Sequence, residues 1–164
     1  VDSISKETIA TKSDDELAEA IKPEFAQKGY PYNADFVRRF CGLMKERATF
    51  INELLEMGYY FFEDIKAYDN ETIKKKYSKE SRAKFDNAVN VLNEVSEFNA
   101  VALEGALKEY AASAGVKTGE LMPVLRLALA GTMQGPPVFS MMDLLGKEKA
   151  IARLKKSFDY FDSI

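Results

Sequence analysis

Cys41 is the one soft nucleophile in the sequence, and no histidine exists to activate it. The absence of histidine excludes Ser-His-Asp and Cys-His machinery together with most zinc sites. Cys41 also falls in an apolar stripe with Phe36, Val37, Phe40 and Met44, which reads as a buried, unreactive thiol. A lone cysteine forms no intrachain disulfide and fits a reducing cytosol. Carboxylates are plentiful. Asp14-Asp15-Glu16 suits a helix N-terminus, where the dipole favours negative charge. Glu63 and Asp64 are adjacent, and neighbours on a helix diverge by about 100°, so they do not form an acid–base pair. Gly115-Val116-Lys117-Thr118-Gly119 lacks the glycine spacing of a phosphate loop and reads as a turn between helices. No catalytic residue and no metal site follow from these residues.

Binding is better represented than catalysis. Tyr59-Tyr60-Phe61-Phe62 sets four aromatic residues in a row, and such rings stack on unpaired bases. Between two helices, the same run serves more simply as a plug of the core. Lys74-Lys75-Lys76 can meet phosphate or form a solvated helix face. The net charge of −3 weighs against nucleic acid, because phosphate neutralisation dominates affinity there. The charge is uneven, however. Residues 1–115 carry 16 basic and 21 acidic groups, while residues 116–164 carry 7 and 5, a local basic excess.

These residues must be positioned by helices. Apolar residues recur at spacings of three and four, and clean alternation is rare, so an all-α fold without a significant sheet is expected. The chain has 164 residues and 46% apolar composition, enough for one large domain or two small ones with a real core. Ser13 with Glu16 forms a capping box, and Leu17, Ile21 and Phe25 line the helix behind it. Pro23 should kink that helix or begin a new one. After the break at Gly29 and Pro31, Asn33 caps a helix with Phe36, Val37, Phe40, Leu43 and Met44 buried. A shorter helix over residues 49–57 should stop at Gly58 in a left-handed conformation.

The polar stretch 67–79 is the candidate junction, dividing the chain into a first helical subdomain, 1–77, and a second, 78–164. In the second, a helix over residues 81–95 carries Phe85, Val89, Leu92 and Val95. Asn99 caps a helix ending at Gly115. Another helix is expected to start near Pro123 and stop at Gly131. After the Gly135-Pro136-Pro137 turn, residues 138–145 form a short helix ended by Gly146. The last helix buries Ile151, Leu154, Phe158 and Phe161, and its other face holds Lys149, Arg153 and Lys156. No apolar run approaches the ~20 residues needed to cross a bilayer, and no signal peptide follows Val1. Val1 is not a natural start, so a fragment of a longer protein is expected.

The most specific stretch covers residues 115–154, GVKTGELMPVLRLALAGTMQGPPVFSMMDLLGKEKAIARL. It resembles the C-terminal block of bacterial glutamyl-tRNA synthetases: a Gly-Val-Lys-x-Gly start, Pro-Leu-Arg-x-Ala-Leu-x-Gly, a proline-containing loop, a short helix with phenylalanine, Leu-Leu-Gly-Lys-Glu and a closing Arg-Leu. Here Val124 intervenes between Pro123 and Leu125. SDDELAEAIKPEF, Leu43-Met44-Lys45-Glu46-Arg47 and the later YYFFED resemble the same family's preceding segments, so the similarity covers nearly the whole chain. Lys76-Tyr77-Ser78-Lys79-Glu80 looks like the KMSKS loop that grips ATP in class I synthetases. That loop works beside an α/β sheet and a histidine-containing companion, and neither is present, so the likeness is read as chance.

The resemblance implies a two-part helical bundle, a cage that holds the anticodon stem and loop of glutamate tRNA. It implies anticodon contacts from Arg47 in the first subdomain and from Arg126 and the loop 132–138 in the second, namely Thr132, Gln134, Gly135, Pro136 and Val138. Unpaired bases are read by arginine forks and by close-approaching backbone, which suits these residue types. Either arginine can instead have a structural role, Arg126 by orienting the loop. The resemblance assigns ATP-dependent glutamate ligation, with ATP and magnesium, to a catalytic domain missing here. This chain is then not catalytic alone and needs no cofactor. It is expected to be cytoplasmic, monomeric and independent of membranes. The alternative is a helical protein-interaction module with no nucleic-acid role. It fits the net charge but leaves the ordered match at 115–154 unexplained.

Overall fold

The Ser13 hydroxyl accepts from the Glu16 N–H at 3.2 Å, and the Glu16 carboxylate accepts from the Ser13 N–H at 2.9 Å. This reciprocal cap opens helix α1 (Asp14–Lys28). The structure, a computed structural model, describes Ile9 and residues 11–164. Among the described residues all regular structure is helical, with no β-strand, as the periodicity predicts. No described helix is long and apolar enough to cross a membrane. Contacts divide the chain into two compact units, Val1–Asp64 and Ile65–Ile164.

In the first unit, α1 packs on α2 (Ala34–Met44) and on α3 (Ile51–Met57). Asn33 caps α2 by accepting from the Phe36 N–H at 3.0 Å. Leu17, Ile21, Phe25, Val37, Phe40, Met44, Ile51 and Leu54 are buried. Each such side chain contributes roughly 1.5–3 kcal/mol of burial. The aromatic run plugs this core. Tyr60 and Phe61 are buried, and Phe62 meets Phe25 and Phe40 edge-on, each at 4.9 Å. Pro23 neither begins a new helix nor ends α1. Its missing N–H leaves only the Glu19 carbonyl without its helical donor, and Glu19 lies on the solvent side, where water can serve. Gly58 is not left-handed either: its φ is −112°. Glycine is needed there for closeness, since a Cβ would stand 2.6 Å from the Phe40 ring.

The second unit contains α4 (Asn70–Lys76), α5 (Arg82–Asn93), α6 (Ala100–Ala114), α7 (Thr118–Ala130), α8 (Val138–Leu145) and α9 (Lys147–Ser163). Helix α7 is its centre, touching α4, α6, α8 and α9. Leu121, Val124, Leu125, Leu127, Ala128 and Leu129 are all fully buried, which is how a helix apolar on every side must sit. It starts at Thr118 rather than near Pro123. Pro123 is tolerated inside because the carbonyl deprived of its donor is that of Gly119, in the exposed first turn.

The division falls between Asp64 and Ile65, earlier than the junction expected at 77/78. The polar stretch hides a helix, α4, capped by Asp69, and its Ile73 is buried in the second unit along with the following Tyr77. Lys76-Tyr77-Ser78-Lys79-Glu80 is accordingly a helix junction. Tyr77 donates to Asp162 at 2.6 Å, and the Ser81 hydroxyl closes the turn onto the Ser78 carbonyl at 2.6 Å. Arg82 then binds Asp86, Asp159 and Asp162 at 2.8, 3.0 and 2.6 Å, tying α5 to α9.

Candidate nucleic-acid interface

Arg47 ends a 3-10 turn, Lys45–Arg47, that leaves α2. The turn is held on both sides. Lys45 Nζ reaches Asp14 at 2.8 Å, and that carboxylate raises the lysine pKa. The Glu53 carboxylate accepts from the N–H groups of Thr49 and Phe50 at 2.9 and 2.8 Å, which hold its pKa below the ordinary value. Arg47 itself is exposed, and its side chain makes no hydrogen bond or ion pair among the described residues. A rigid turn therefore presents a guanidinium to solvent.

Helix α7 supplies Arg126 and leads into the loop between α7 and α8. Gly131 ends the helix with φ +80°, a left-handed conformation that glycine adopts without a Cβ clash. Beyond it, the Thr132 hydroxyl accepts from the Gln134 N–H at 3.2 Å. Arg126 Nη1 donates to the carbonyls of Gly135 at 3.0 Å and Pro136 at 2.7 Å. The structure thus brings Arg126, Gly135 and Pro136 together. It gives Arg126 a loop-holding contact, made to two backbone carbonyls.

The loop residues divide by exposure. Pro136 and Val138 are buried, so Val138 anchors α8 in the core. Thr132 and Gly135 are half-buried, and Gln134 is exposed. Met133 is exposed as well, at 38%. Met133 lies within the loop 132–138 that the resemblance marks, between Thr132 and Gln134. What the sequence did not reveal is how the loop is seated. The Ser157 hydroxyl, fully buried, donates to the Ala128 carbonyl at 2.6 Å, and Arg153 Nη1 donates to the Leu129 carbonyl at 3.3 Å. Both groups project from α9 onto the end of α7. Of the basic face of α9, Lys149 and Lys156 are exposed and Arg153 is half-buried. Cys41 is fully buried, and burial pushes its thiol pKa up to about 12.

Known proteins share this fold and sequence. The family model described as the anticodon binding domain matches residues 16–158. The chain is 33% identical over 149 residues to a glutamate–tRNA ligase of Flavobacterium psychrophilum, covering 91% of this chain and 30% of that protein. It is 28% identical over 151 residues to the enzyme of Amoebophilus asiaticus, covering 92% of this chain and 30% of the relative. Among solved structures, a glutamate tRNA ligase from Elizabethkingia meningosepticum superposes with a TM-score of 0.85 at 27% identity, over 92% of this chain and 30% of that one. The chain therefore spans about 30% of the length of these relatives. With the helical fold, the ordered match around α7 and α8, and a family model spanning both units, this chain belongs to the anticodon-binding domain family.

Proposed function

We propose that this chain binds the anticodon stem and loop of glutamate tRNA, as the anticodon-binding part of a ligase that joins glutamate to its tRNA. One observation carries the reading: the loop 132–137 is fixed at its base by Gly131 and at its tip by Arg126, yet exposes Met133 and Gln134. Such a loop offers unpaired bases a backbone that needs little ordering on binding. Arg47, exposed on its own rigid turn, supplies a second contact of the type that forks onto a base edge or phosphate. The chain's glutamate–tRNA ligase relatives support glutamate as the amino acid. On this reading, ATP and magnesium serve a catalytic part outside this chain, and the protein works in the cytoplasm with this region monomeric.

The test is binding of the chain to an RNA stem-loop bearing the glutamate anticodon, at low and moderate salt. The expected binding is weak, anticodon-dependent and reduced by salt, since phosphate contacts release counterions. Failure to bind at low salt would overturn the reading and favour a helical protein-interaction module.

A further inference from the structure

The end of α7 is fastened from a direction that neither the loop nor α9 accounts for. Residues 65–70 cross it. The Asp69 N–H donates to the Gly131 carbonyl at 2.8 Å. A Cβ built on Gly131 would stand 2.5 Å from the Ala67 carbonyl oxygen and 2.7 Å from Ile65 Cγ2. The nearer of these atoms is backbone, so it cannot swing away as a flexible side chain would. Tyr68 then reaches inward. Its hydroxyl lies 2.8 Å from Ser157 Oγ, which in turn donates to the Ala128 carbonyl. The Tyr68 ring stacks on Tyr160 at 4.5 Å, and the Tyr160 hydroxyl donates to Asn70 at 2.8 Å. The carbonyls of Ala128 and Gly131 at the loop's entrance are both claimed by this arrangement.

We propose that residues 65–70 form a positioning strap that sets, through Gly131 and Tyr68, the direction in which the loop 132–137 is presented to RNA. The proposal rests on the reading of that loop as an anticodon contact. Its physical basis is that the last carbonyls of a helix need partners, and whichever group supplies them fixes the exit path of the chain. Here Gly131 carries out the exit and the strap occupies the volume beside it. Thr132 follows immediately, so a small rotation at Gly131 displaces Met133 and Gln134 before Arg126 can correct the path at Gly135. Tyr68 and Gly131 are positioning residues on this account, since neither needs to touch RNA.

The experiment compares Tyr68→Phe, Gly131→Ala and the loop variants Met133→Ala and Gln134→Ala with the parent chain. Two RNA stem-loops are titrated, one with the glutamate anticodon and one with a single anticodon base changed. Tyr68→Phe keeps the stacked ring and should keep the helical circular dichroism. It should weaken the matched stem-loop by about threefold or more while moving the mismatched one by less than about twofold, the size of one lost hydrogen bond acting on recognition alone. Amide exchange at residues 132–135 should quicken while exchange in α5 stays as in the parent, a change that a general loss of stability would not confine to the loop. Gly131→Ala, if it folds, should blur discrimination further. If Met133→Ala and Gln134→Ala both leave discrimination at the parental ratio, the loop does not read the anticodon and the proposal falls with that reading. If they blur it while Tyr68→Phe discriminates and exchanges as the parent does, the strap is overturned and the loop reading stands.

Discussion

Arg126 and Pro136 are joined by a 2.7 Å hydrogen bond from the guanidinium to a backbone carbonyl, and the same nitrogen also serves Gly135. A side chain that an anticodon resemblance marks as a reader of bases is thereby a holder of the loop. The two roles are separable. Arg126→Ala should lower the stability of the second unit by about 1–3 kcal/mol, because the carbonyls lose a charged donor in a half-buried place. RNA discrimination should fall with it. Arg126→Lys keeps the charge but not the fork, and should recover only part of either. Thermal melting beside stem-loop titration checks this, and unchanged melting in Arg126→Ala would remove the loop-holding role.

Gly131 and Gly115 end α7 and α6 with similar backbone, φ +80° and +69°, but different surroundings. A Cβ on Gly115 meets nothing within 4 Å, whereas on Gly131 it meets the Ala67 carbonyl. Gly115→Ala should therefore cost only the left-handed strain, about 1–2 kcal/mol. Gly131→Ala adds overpacking and should cost about 2–4 kcal/mol in total. Chemical denaturation of both variants measures the gap, and equal costs would mean that residues 65–70 yield freely.

Asp162 should contribute to the loss of stability in acid. Burial works to raise its carboxyl, but hydrogen bonds from Tyr77 and Arg82 outweigh it and hold the pKa below the ordinary 3.8. A lowered carboxyl contributes stability that is present above its unfolded pKa and is lost as pH falls through the folded one. Tyr77 is shifted upward by burial and by Asp162, so its contribution is present below the ordinary 10 and is lost in alkali. Asp162→Asn should melt lower than the parent near neutrality and show a flatter loss between about pH 5 and pH 2. Parallel acid profiles for the two proteins would take Asp162 out of the acid transition.

Much of this was legible in the residues, and the reasons are local. The Ser13 and Glu16 cap, the caps at Asn33 and Asn99, and the exits at Gly115 and Gly131 all follow from short-range hydrogen bonding or backbone conformation. The apolar stripes of α2, α5 and α9 follow from spacing. What failed depended on distant partners or on solvent. Pro23 and Pro123 stay inside helices because the carbonyls they strand face water. Helix α4 was hidden because it shows a single buried residue, Ile73, between lysines. The resemblance marks Arg126, but its grip on Gly135 and Pro136 needs the loop to fold back, which no periodicity encodes. The strap at Gly131 joins residues far apart in sequence and left no mark in either segment.

Arg47 offers the cleanest separation of recognition from folding. Its side chain is exposed and makes no hydrogen bond or ion pair among the described residues, so Arg47→Ala should leave the melting temperature within the scatter of surface substitutions. If the guanidinium forks onto an anticodon base, the same variant should weaken the matched stem-loop by about 1–3 kcal/mol and reduce its advantage over a mismatched one. Arg47→Lys keeps a positive charge but loses the planar fork. It should therefore retain salt-sensitive attraction while discriminating less well. Lys74→Ala is the control, an exposed lysine in the last turn of α4 whose charge would meet phosphate without reading a base. It should weaken all stem-loops alike or do nothing. Arg126→Ala should show the larger loss of binding of the two arginine variants, because it also releases the loop. Suppose Arg47→Ala binds both stem-loops as the parent does and Arg47→Lys is indistinguishable from it. Then the turn Lys45–Arg47 does not meet the anticodon, and recognition rests on the second unit alone.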